Sequence, residues 1–140
     1  MINVRVNGLY DKVNITRRIQ LLSSKIIDKI EVNHYNSKNI DYFFHCDATL
    51  ISKLDYNVME SFKEYSYLEN IKEIINKDDS ITLKWKLNDK AIISKIELSN
   101  KQLFICDSPN NRNIKERTTF IIRSNNEKKS IFKIEWKVIN

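Results

Sequence analysis

Glycine occurs once in this chain, at Gly8, and proline occurs once. The lack of glycine excludes a good deal. A dinucleotide-binding G-x-G-x-x-G turn, a P-loop and a G-x-S-x-G nucleophile elbow each need at least two glycines. The RNP1 motif of an RRM and the GXXG loop of a KH domain need glycine as well. Cysteine is almost as scarce. Cys46 and Cys106 stand 60 residues apart, so no C-x-x-C is present, nor an HExxH or an EF-hand loop. In a reducing compartment each cysteine reads as a small buried hydrophobe, and sequence alone leaves a disulfide between them open.

Long apolar runs are missing too. No stretch of about 18 apolar residues could form a membrane-crossing helix. The opening MINVRVNGLYDK alternates apolar and polar residues and has no unbroken apolar core, unlike a signal peptide. The expected location is the cytoplasm, with no membrane contact. Alanine is rare while isoleucine, lysine and asparagine dominate, which marks an AT-rich gene from a low-GC organism, a mobile cassette or a virus.

What is present fits one globular domain spanning residues 1–140, with 41% hydrophobic and 30% charged residues. The net charge of +6 is unevenly spread: +4 over residues 1–30, −5 over 31–80 and +7 over 81–140. Such a division makes a dipolar surface possible.

Periodicity supplies an outline. In ITLKWKLN, Ile81, Leu83, Trp85 and Leu87 share one face, and Lys84 and Lys86 the other. IFKIEWKV repeats this, with Phe132, Ile134, Trp136 and Val138 inward and Lys133 and Lys137 outward. AIISKIEL, QLFICD and TTFIIRS lie between, rich in β-branched and aromatic residues. Asparagines fill the connections because asparagine tolerates positive φ. Upstream, Val58, Phe62, Tyr65, Leu68, Ile71 and Ile75 recur at helical spacing, with Asp55 as the cap. Residues 16–30 suggest a second helix, and IEVNHY and IDYFFHC a hairpin closed by Asn36–Asn39. The sequence therefore predicts an α+β fold: an antiparallel five-stranded C-terminal meander packed on one long amphipathic helix, preceded by a short β/α segment and a hairpin.

Histidine, cysteine and aspartate crowd together only in DYFFHCDATL, residues 41–50. The predicted hairpin sets His34 opposite Asp41, a contact that reads either as an ordinary polar pair or as a general acid–base pair. Asp41 and His45 would stand roughly 13 Å apart along a strand, and metal ligands need about 2 Å, so no metal site and no cofactor are expected. Cys46 would face away from both histidines, without a base to activate it.

The remaining signal is basic charge. Lys84, Lys86, Arg123, Lys133 and Lys137 are expected on the polar side of the meander. The loop from Asp107 to Arg117 adds Arg112, Lys115 and Arg117 around Ile114, and loops longer than a hairpin needs often carry function. These positions point to an acidic partner. The leading expectation is a non-enzymatic, protein-binding domain: a small cytoplasmic inhibitor or immunity protein that neutralises a toxin by covering its active site. Nucleic acid on the same basic face is the first alternative, and a small enzyme using His34 and Asp41 the second.

Overall fold

The computed structural model describes residues 1–7, 12–109 and 117–139. Among them are ten strands and no helix: β1 (Ile2–Asn7), β2 (Val13–Leu21), β3 (Ile26–Cys46), β4 (Thr49–Leu50), β5 (Tyr56–Val58), β6 (Glu69–Ile74), β7 (Ser80–Leu87), β8 (Lys90–Glu97), β9 (Lys101–Ser108) and β10 (Arg117–Ile139). Every pairing is antiparallel. The protein is all-β, and the α+β expectation is overturned.

Two long strands organise the molecule. β3 and β10 pair from Thr118↔Cys46 to Trp136↔Ile26, with register shifts between Ser124 and Lys129. On one side of this irregularity, β10 carries β8 and β7 while β3 carries β2 and β1. On the other, β10 pairs with β9, and β9 with β6. A single hydrogen-bonded sheet is thereby folded into two halves, the long strands passing from one to the other through a bulged corner. Its polar residues are satisfied there: Ser130 Oγ donates to Ser124 Oγ (2.8 Å) and Ser124 Oγ to Glu127 (2.9 Å).

The main core lies between the halves. Leu83, Trp85, Ile96, Phe132 and Ile134 from one meet Leu103, Ile105, Phe120 and Ile122 from the other. Trp85 stands 5.9 Å from Phe120, and Phe44 stacks on Phe120 at 5.0 Å. A second cluster covers the outside of the second half, where Phe62, Leu68 and Ile71 pack on Phe104, Cys106 and Ile121. Neighbouring residues on β9 and β10 thus alternate between two cores, which explains the uninterrupted apolar runs LFIC and FII.

Each departure from the predicted outline has a physical cause. The supposed long helix over 55–76 is β5, a run of turns and β6. Tyr65 N–H bonds to Phe62 C=O at 3.2 Å and Leu68 N–H to Tyr65 C=O at 3.1 Å. Consecutive turns repeat every three residues, so they imitate helical spacing, and Asn70, at φ 51°, stands where a helix would break. Residues 16–30 form most of β2 and the start of β3. Ile15 and Ile19 are four apart, which is also two strand periods. The intervening inward position is Arg17, paired with Asp28, and this polar pair hides the alternation. The hairpin at Asn36–Asn39 is absent, since β3 runs straight through it. Turn-type residues there, and Asn125–Asn126 in β10, mark the corner rather than a reversal; TTFIIRS and IFKIEWKV are one strand. Where the chain does reverse, asparagine acts as expected: Asn88 (φ 54°) joins β7 to β8 and Asn100 (φ 55°) precedes β9.

Candidate functional site

Strand period and register together place one set of side chains on the open face of β1, β2, β3, β10, β8 and β7. Residues directly opposite in paired strands share a face. Because Leu83 and Trp85 are buried, Lys84 and Lys86 point outward. Lys84 lies opposite Ile93, and Ile93 opposite Lys137. Lys133 faces Lys29, and Lys29 faces Arg18. Arg5, Lys95 and Lys129 belong to the same face by the same parity. Only Glu31, Glu97 and Glu135 among its described residues carry the opposite charge. Lys133 bonds Glu97 (2.7 Å) and Glu135 (3.3 Å), Lys25 bonds Glu135 (2.8 Å), and Lys129 bonds Glu31 (3.1 Å).

Four of the predicted residues, Lys84, Lys86, Lys133 and Lys137, thus share one surface. Arg123 does not. It lies on the outside of the other half, where its Nε and Nη2 donate to Asp41 at 2.7 and 2.8 Å and its guanidinium sits over the rings of Phe62 and Phe104. The Tyr65 hydroxyl also donates to Asp41, at 2.9 Å, so this cluster ties the 59–68 segment to the sheet. Arg117 lies 3.5 Å from Asp47, at the far end of β10. Arg112, Ile114 and Lys115 lie outside the described residues. Arg5, Arg18, Lys29 and Lys95 escaped the sequence reading; for Arg18 and Lys29 the reason is that their strands were read as a helix. Alternation in NITRRIQ was the available signal.

The basic face turns a corner into an apolar groove. Leu21, Leu22, Ile26, Ile92, Trp136 and Val138 line a hollow of about 730 Å³, with Lys25 and Lys137 at its margin. Here the inner side of the first half extends past the second. Leu21 is 74% exposed and Val138 52%.

The expected His34–Asp41 pair does not exist. His34 is opposite Val13, whereas Asp41 is opposite Arg123. His34 Nδ1 accepts instead from the Asn36 N–H at 3.0 Å. His45 belongs to another cluster: its Nδ1 lies 2.7 Å from Thr119 Oγ1, which lies 2.6 Å from Ser108 Oγ. Both hydroxyls are buried, out of reach of a substrate. Cys46 and Cys106 are free. They point to opposite sides of the sheet, one against each core. Burial raises the Cys46 thiol and pushes the Cys106 thiol up to about 12, so neither is a thiolate near neutrality. No group of histidine, cysteine and carboxylate side chains among the described residues could hold a metal ion. Among the described residues no helix is long and apolar enough to cross a membrane.

Burial, and after it the charge of Arg117, lowers the pKa of the His45 imidazole. A base whose folded pKa lies below its unfolded value of about 6.5 favours folding fully above that pH, and the benefit fades as pH falls through the window beneath it. Urea midpoints should therefore drop more steeply from about pH 7 to 5.5 in the wild type than in His45→Asn. Equal slopes would remove His45 from the account.

No protein-family model and no curated protein matches the chain.

Proposed function

We propose that this chain is a non-enzymatic binding domain for an acidic protein, and that it acts as a cytoplasmic inhibitor that neutralises a toxin by covering its active site. One observation carries the choice of partner: the basic face runs through Lys137 and Lys25 into the apolar groove floored by Trp136. A protein bearing carboxylates beside protruding apolar side chains complements both surfaces, and a contiguous exposed apolar patch at a charged margin is the mark of a protein-binding surface. A phosphate backbone would use the lysines only. Glu97 and Glu135, interleaved among them, would repel it. Ile27, Ala91, Ile93, Ile131 and Ile139 are apolar residues on this face. The exposed Tyr35, which follows Asn33 by strand parity, lies at the far end of β3's outer row with Lys12 over its ring. Among the described residues, therefore, no row of stacking platforms accompanies the lysines. The inhibitory role rests on small size, the absence of catalytic motifs and the AT-rich gene.

The adjoining gene supplies the test. Expressed alone, the product encoded immediately upstream should arrest growth, and co-expression of this chain should restore it. Combining Lys84→Glu, Lys86→Glu and Lys137→Glu should weaken the complex at least about a hundredfold, roughly 3 kcal/mol, mainly through slower association. A harmless neighbour, or full protection by the triple variant, would end this reading. The nucleic-acid alternative predicts instead that labelled RNA or DNA loses on the order of a thousandfold in affinity between about 50 and 200 mM salt.

A further inference from the structure

A second site lies on the same side of the sheet, at its other end. The outer side chains of β1, β2 and β3 enclose a hollow of about 360 Å³ lined by Arg5, Asn14, Thr16, Arg18, Lys29 and Asn33, with Glu31 at one side. Register fixes the arrangement. Arg5 and Glu31 stand opposite Thr16 from either side, and Arg18 stands opposite Lys29. Directly opposed residues are about 5 Å apart at Cβ and diagonal ones about 7–8 Å. Arg5 on β1, Arg18 on β2 and Lys29 diagonally on β3 therefore lie about the Thr16 hydroxyl, with Glu31 across from it.

Opposed like charges are unfavourable, and here the row continues, because Lys133 lies opposite Lys29. Lys133 is neutralised by Glu97 and Glu135. Arg5, Arg18 and Lys29 are not: among the described residues none has a carboxylate within 4 Å. The one carboxylate in the hollow, Glu31, is engaged by Lys129 at 3.1 Å and by the Asn33 amide at 3.3 Å. The result is a concave patch of three cations without ion-pair contacts, Lys29 feeling Glu31 only through space, with hydroxyl and amide donors between them. Single carboxylates elsewhere on the molecule each satisfy one guanidinium, as Asp28 does Arg17 and Asp41 does Arg123. Three cations around one hollow call for more than one negative charge on a compact, many-sided acceptor.

We propose that this hollow binds a phosphoryl group, as free phosphate or as a phosphomonoester. Arg5 and Arg18 supply forked donors to its oxygens, Lys29 supplies a point charge, and the Thr16 hydroxyl and the amides of Asn14 and Asn33 complete the shell. Bound dianion relieves the Arg18–Lys29 repulsion, so binding and sheet stability are linked. The hollow shares the basic face with the acidic-partner surface but uses none of Lys84, Lys86, Lys137 or the groove residues, so the two readings can fail separately.

The test is a titration of the full chain with inorganic phosphate at about pH 7.5, where the group is largely dianionic, with sodium chloride holding ionic strength constant. Amide resonances of Arg5, Thr16, Arg18 and Lys29 should shift saturably. Arg18→Gln with Lys29→Gln should weaken binding at least about tenfold, and the Lys84, Lys86 and Lys137 reversals should leave it unchanged. O-phosphoserine distinguishes the sources. Tighter binding than phosphate assigns the site to an esterified phosphoryl group, and weaker binding assigns it to the free ion. Shifts that rise linearly over all lysine-bearing strands, or saturable shifts indifferent to the Arg18 and Lys29 changes, overturn the proposal. Should that double variant fail to fold, Arg5→Gln on the exposed edge strand provides the same comparison.

Discussion

Trp85→Ala should cost about 4 kcal/mol, among the largest losses any single truncation of this chain can produce. Trp85 is fully buried between the two halves, against Phe120, and its Nε1–H donates to Ser94 Oγ at 2.8 Å inside the core. Removing the indole forfeits its transfer free energy, leaves a cavity and strands the Ser94 hydroxyl. A domain of this size has roughly 5–15 kcal/mol in total, so the variant should be marginal. Trp136, the other tryptophan, remains as the fluorescent probe for urea unfolding. Trp85→Phe keeps most of the packing and should lose about 1–3 kcal/mol, chiefly through the orphaned hydroxyl, and adding Ser94→Ala should restore part of it. A loss below about 1 kcal/mol for Trp85→Ala would mean that the halves do not pack as described.

Asp41→Asn should be nearly as damaging, at about 3 kcal/mol. Its carboxylate takes both Arg123 donors and the Tyr65 hydroxyl, and the side chains of Arg123 and Asp41 are only 16% and 8% exposed. Burial and the link to Asp41 push the Tyr65 phenol up to about 12. Without the carboxylate, a guanidinium is left against Phe62 and Phe104 with only the through-space charge of Glu64 to offset it. Arg123→Met alone should harm the fold for the converse reason, but Asp41→Leu combined with Arg123→Met should cost less than either single change, because no uncompensated charge remains. Chemical denaturation of the wild type, Asp41→Leu, Arg123→Met and the double variant closes this double-mutant cycle. The exposed Lys133–Glu97 pair is the internal control, worth about 0–1 kcal/mol. If Asp41→Asn behaved like that control, the cluster would not anchor the 59–68 segment.

Legibility followed the cleanliness of the alternation. ITLKWKLN and IFKIEWKV have no polar residue on the inward side, so their faces were readable, and four lysines of the basic surface came with them. β2 has Arg17 at an inward position, and its meaning depends on Asp28, eleven residues later and on another strand. The 59–68 segment hid for a different reason. Phe62, Tyr65 and Leu68 do serve a core, but spacing records only which residues turn inward together, and turns satisfy it as well as a helix does. NSKN and SNNEKK look like hairpin loops because polar, turn-prone residues also suit a corner where a strand leaves one core and enters another. Composition could not tell those two uses apart. The fate of Arg123 was equally hidden, since its partner Asp41 lies 82 positions away.

The pairing of β3 with β10 also sets when the chain can fold. Its contacts join residues such as Ile26 and Trp136, which are separated by most of the sequence. During synthesis β1, β2 and β3 can assemble early, but they then present β3 as an open edge until β10 is made. Little of the main core can close before that, because Phe120, Ile122, Phe132 and Ile134 all arrive on the same late strand. Topologies dominated by such distant partners fold slowly and expose unpaired edges while they wait. Truncations that remove β10 should therefore yield aggregates rather than a smaller folded domain.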